Sequence, residues 1–175
     1  LKKNENYSKK TKINNIKQGI SEVFLNSAEI LFNEGLDRQA LIYAQISSYL
    51  EPKSDSANYL LGRIFKSINN NERAVKYFKK VNEYSLVIHD ANIAYAETLY
   101  DIEGLSNSKE FLNNMEKSFP DNINYLRTMA ELFYKADDFE SSIQYYDLIF
   151  EKIDKIEFKH WPLFYSSGIA LERGK

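Results

Sequence analysis

Apolar positions along this chain fall three and four residues apart, as at Phe24, Ala28 and Leu31, for most of its length. That step places them on one stripe of an α-helix and argues against strands, whose apolar residues alternate. The runs are short. Polar turn-formers interrupt them at Asn33-Glu34-Gly35, Asn69-Asn70-Asn71, Glu103-Gly104 and Asp137-Asp138. Ser54-Asp55 and Asp121-Asn122 stand just ahead of new apolar runs, where a helix needs its N-cap. The pattern predicts short helices joined in pairs by tight polar turns.

The pattern also recurs every 34 residues. Small residues stand at Ala28, Gly62, Ala96 and Ala130, and large apolar residues follow three positions on, at Leu31, Phe65, Leu99 and Phe133. A second small column is Ala40, Ala74, Ser108 and Ser142, with Ala44, Phe78, Leu112 and Tyr146 four positions later. Pro52 and Pro120 share a column near the end of the unit, and only one other proline occurs. The units run 21–54, 55–88, 89–122 and 123–156, each a helix, a turn and a helix, with a half unit at 157–175 and a lead-in at 1–20. One such pair cannot cover its own apolar face, whereas stacking the next pair covers it. Small columns mark where helix axes come closest, and large columns fill the grooves beside them. A fixed period makes each unit turn by a similar angle, which yields a curved row with one concave wall.

These columns resemble the tetratricopeptide repeat family, whose pattern pairs a small residue with an aromatic or Leu, then Ala, an aromatic and a late Pro. The resemblance covers residues 21–156 and a fifth first helix at 161–171, with Gly168 and Leu171 in the family positions. It implies an all-α, right-handed superhelix. The departures are mild. Phe24, Asn58, Asn92 and Leu126 replace the family's first-column Trp, the mid-unit Gly survives only as Gly35, and four extra residues at 157–160 leave the angle of the last junction open. Segments such as 19–24 and 168–173 look like the middle of long, largely uncharacterised tetratricopeptide proteins of alphaproteobacteria, many of which look exported. A start at Leu1 fits a piece of a longer bacterial protein, so the compartment, cytoplasmic or periplasmic, stays open.

In the family, the second, fifth, ninth and twelfth positions of each first helix line the concave wall. The resemblance therefore implies a peptide- or protein-binding groove built from Leu25, Glu29 and Phe32, then Tyr59, Arg63 and Lys66, then Ile93, Glu97 and Tyr100, then Arg127, Glu131 and Tyr134. Tyr and Arg are the residues that most often carry binding energy at interfaces, and an aromatic column suits a peptide laid along it. The plainer reading is that neighbouring columns satisfy each other, Glu29 with Arg63 and Arg63 with Glu97, as surface ion pairs of small value. Some members grip a carboxylate-ended tail with a Lys and Asn clamp. Leu25 and Glu29 stand where its first residues would be, which argues against that use.

Composition narrows the classes further. Net charge is −2 with a pI near 5.8, against the basic excess of nucleic-acid binders. Lysines cluster only before residue 18, and a solvated tail accounts for them. There is no cysteine, which removes disulfides and zinc knuckles, and no apolar run reaches membrane-spanning length. His89 and His160 read as loop or cap residues and Asp137-Asp138 as turn formers, so the sequence implies neither catalysis nor a metal or cofactor. A binding scaffold and a self-assembling array remain. Ile13 and Ile16 are expected to dock the lead-in segment on the array or on a neighbouring copy. The last helix should leave Phe164, Ile169 and Leu171 bare, as a cap or as a homodimer face.

Overall fold

The computed structural model describes residues 15–120 and 122–175. Among them are nine α-helices and no strand: α1 (Ile16–Asn33), α2 (Asp37–Leu50), α3 (Asp55–Ser67), α4 (Asn71–Phe78), α5 (Ile88–Glu103), α6 (Leu105–Ser118), α7 (Ile123–Lys135), α8 (Phe139–Glu151) and α9 (Trp161–Arg173). Five of these helices start after a polar residue whose side chain accepts from a free N–H group. Asn15 accepts from the Gln18 N–H, Ser54 from Ala57, Asn70 from Arg73, Asn122 from Asn124 and Asp138 from Ser141. Asp121 lies outside the described residues.

The turns inside units one, two and four share one main-chain solution. The N–H groups of Leu36, Asn70 and Asp138 donate to the carbonyls of Leu31, Phe65 and Phe133 at 2.9, 2.8 and 3.0 Å. Each turn needs one left-handed residue, supplied by Gly35 (φ 75°), Asn69 (φ 59°) and Asp137 (φ 59°). Short polar side chains tolerate that region best after glycine. The third unit differs. Its first helix runs to Glu103, and Gly104 (φ 83°, ψ −173°) alone separates α5 from α6.

Successive helices pack against each other, and first helices also touch at α1–α3, α3–α5 and α5–α7. Both small columns are buried. In units three and four the second column does more than fill space. The Ser108 hydroxyl donates to the Ala96 carbonyl at 2.7 Å and Ser142 to that of Ala130 at 2.9 Å. The close approach thus satisfies a buried hydroxyl that an Ala does not carry. Phe78, Leu112 and Tyr146 fill the neighbouring space. The result is an all-α superhelix of helix–turn–helix units.

Several expectations need correction. Helix α1 begins at Ile16, ahead of the 21–54 unit. Ile16 is 83% exposed, so it does not dock on the array of its own chain, while Ile13 lies outside the described residues. Helix α4 stops at Phe78, because Val81 turns into the core and the chain breaks at Asn82, whose side chain accepts from the Tyr84 N–H. On α9, Phe164 is not bare: it stacks on Phe150 at 4.5 Å. The exposed face carries Trp161 and Tyr165, 63% and 61% exposed, with Leu171 at its edge.

Candidate functional site

Four first helices bring the candidate residues to one wall. Phe32 from α1, Tyr59, Arg63 and Lys66 from α3, Ile93 and Glu97 from α5 and Arg127 from α7 line an open hollow of about 600 Å³. Each sits one or two turns from the last on its helix, so the spacing of three and four residues delivers them to one face. Asp90 and Asn124, from the second position of their units, complete the rim.

Arg63 is the centre of this hollow. Its guanidinium lies over the Phe32 ring at 4.8 Å and near the Tyr59 ring at 5.6 Å. A planar cation flanked by two rings is held without losing its hydrogen-bonding edge. The Glu29–Arg63–Glu97 ladder does not form. Among the described residues no carboxylate lies within ion-pair distance of Arg63, and Glu97 instead takes the ammonium of Lys66. The aromatic slot captures the guanidinium, and Lys66, one turn on, is left to reach across to α5. Burial pushes the Tyr59 phenol up, and the Arg63 charge beside it pulls partly the other way.

A second hollow of about 360 Å³ opens between α7, α8 and α9. Glu131 and Tyr134 line it, with Lys135, Tyr146, Ser166 and Ile169. Arg127 of the first hollow and Glu131 of the second pair at 3.3 Å, so one ion pair stands between the two. Burial raises the Glu131 carboxyl above the ordinary range; Arg127 pulls it down, Glu97 adds to the rise and Lys135 opposes it.

Three of the twelve expected residues lie elsewhere. Leu25 is 4% exposed and belongs to the core shared by α1, α2 and α3, because an apolar side chain at that turn is taken inward. Glu29 is exposed outside both hollows. Tyr100 packs against the core between α5 and α7, with the Lys135 ammonium 6.0 Å from its ring centre. The second hollow was readable only in part: Ile169 repeats the ninth-position column, whereas Tyr146 comes from a second helix that the groove pattern does not include.

The histidines are occupied structurally. The His89 Nδ1 bonds the Tyr125 hydroxyl at 2.7 Å and its ring meets Phe119 edge-on, while the His160 Nδ1 accepts from the Glu157 N–H. Among the described residues no group of three or more His, Asp or Glu side chains is arranged to hold a metal ion, and no helix is long and apolar enough to cross a membrane.

No protein-family model matches the chain, and no curated protein matches it significantly. Solved structures do. PilW, a widely conserved type IV pilus biogenesis factor, superposes with a TM-score of 0.70 at 15% identity over 87% of this chain and 71% of its own. MamA from Desulfovibrio magneticus RS-1 does so at 0.62 and 17%, over 91% and 92%. YrrB, a TPR protein with an unusual peptide-binding site, does so at 0.57 and 14%, over 85% and 75%. At such identities the likeness establishes the fold, which is of the tetratricopeptide type.

Proposed function

We propose that this helical array is a protein-interaction scaffold that holds a segment of a partner protein against its concave wall, in the hollow centred on Arg63. One observation carries the reading. An arginine fixed between Phe32 and Tyr59, in an open hollow and without a carboxylate partner among the described residues, offers its hydrogen-bonding edge to an incoming group. Ile93 and Ala94 beside it supply apolar contact. The peptide-binding site of the structurally similar YrrB supports the same use of this fold. Arg63→Glu combined with Arg127→Glu is expected to abolish crosslinking of a partner to this wall in the native cell, while helix content by circular dichroism stays unchanged. Undiminished crosslinking by a folded double variant would sink the groove reading.

A second reading has its own observation. The exposed Trp161 and Tyr165 share a face of α9 with Gly168, beside which there is open space. The same face of α3 carries Gly62 and receives the Phe78 ring. A second copy of the chain could cover the α9 face, making the array self-assembling.

A further inference from the structure

The outer side of α4, away from the concave wall, concentrates positive charge. Arg73, Lys76, Lys79 and Lys80, together with Phe65 and Tyr77, line a hollow of about 490 Å³ that no carboxylate lines. None of these four cations is in an ion pair among the described residues. They stand on rings instead. Arg73 lies 5.5 Å over Phe65, Lys80 4.4 Å over Tyr77 and Lys79 5.3 Å over Tyr95, and Phe65 and Tyr77 are themselves stacked at 5.4 Å.

The arrangement goes beyond what the fold requires. Cations three and four residues apart on a helix repel each other. Lysines near a helix C-terminus are favoured by its dipole, but Arg73 sits in the first turn, where a cation is disfavoured. The other second helices lack the cluster: α2 carries only Arg38, α8 with its C-cap holds only Lys152, and α6 mixes Lys109 and Lys117 with Glu110 and Glu116, whereas α4 and the two residues after it hold four cations against Glu72.

A second observation lies around the end of α4. Lys80 also lines an adjoining hollow of about 510 Å³, with Lys53 and Asn58. Asn58 is 3% exposed, and its Oδ1 is a buried side-chain oxygen with no hydrogen-bond partner among the described residues. Asp55 lines the same hollow, but one of its carboxylate oxygens accepts the Asn82 N–H. An unpartnered acceptor calls for a donor.

We propose that this outer face binds a short acidic segment of a partner protein, its carboxylates on Arg73, Lys76 and Lys80 and a backbone N–H directed to Asn58. Such a segment offers both the negative charge and the donor. A nucleic-acid backbone or a lipid phosphate offers the charge without a main-chain N–H repeated beside it. The rings beneath the cations are already covered, which leaves little for stacked bases to use. The size agrees: residues 73 to 78 of α4 and the turn that carries Lys79 and Lys80 cover about 10 Å at roughly the helical rise, the reach of about three or four extended residues.

The test is an amide-resolved NMR titration of the full chain with three probes: acetylated hexaglutamate, hexathymidylate and vesicles containing phosphatidylserine. Hexaglutamate should shift the amides of 73–80 and the Asn58 side chain saturably. It should bind about tenfold more weakly to Lys76→Glu/Lys80→Glu and as well as before to Arg63→Glu. If charge reversal unfolds the protein, Lys76→Gln/Lys80→Gln should still weaken the binding. No saturable shift, undiminished binding by the folded Lys76/Lys80 variants, or hexathymidylate or vesicles binding these amides at least as tightly would each overturn the proposal.

Discussion

A Cβ placed on Gly62 would come within 2.4 Å of the Phe78 ring, whereas one on Gly168 would meet nothing within 4 Å. The same substitution should therefore act with opposite signs at the two positions. Gly62→Ala overpacks a buried contact and is expected to cost about 1–3 kcal/mol. Gly168→Ala, in the interior of α9, should gain roughly 0.5–1 kcal/mol from backbone entropy alone. Denaturant midpoints of the two variants check this, and equal shifts would mean that the close-approach column is misplaced. The column itself was legible because volume constraints repeat with the period. Which partner a flexible side chain selects was not. Columns placed Arg63 within reach of two glutamates, yet a planar guanidinium finds a better seat between Phe32 and Tyr59. Leu25 shows a related limit, since spacing names the turn on which a residue sits but not how far a neighbouring helix covers it.

Among the elements, α8 is the best placed to report on capping. The Asp138 carboxylate accepts from the Ser141 backbone at 3.1 Å and from its hydroxyl at 2.7 Å, and these two bonds hold its carboxyl below the ordinary range. Asp138→Ala should cost about 0.5–2 kcal/mol at neutral pH. The sign follows from linkage: a carboxyl depressed in the folded state adds stability above its unfolded value and loses it as pH falls through its folded one. Urea midpoints of the two proteins should therefore differ at pH 7 and converge in acid; a constant gap would show that charge plays no part. Helix pairing and the caps Ser54 and Asn122 could be read from polar punctuation. The early end of α4 could not, because the Asn82 side-chain bond and the inward turn of Val81 act after the periodic pattern has fixed nothing beyond apolar spacing. The break at Glu103-Gly104 was legible too, but not that Gly104 alone would make the turn, where the other units use several residues.

Along the array, stability is a sum of units and of their nearest-neighbour interfaces, so the exposed face of α9 matters. If a second copy covers α9, light scattering should show a mass that doubles with concentration, and Trp161→Ser/Tyr165→Ser should hold it at one chain. A strict monomer at high concentration would remove this use of the face. The curved architecture was legible from the period, whereas the division of its inner wall by the Arg127–Glu131 pair depends on where two long side chains meet. The turns of units one, two and four carry a wider implication. Their geometry is closed by main-chain atoms, and the left-handed corner accepts Gly, Asn or Asp. Evolution can respell such a corner without bending it, so shape in this molecule can outlast the letters that first encoded it.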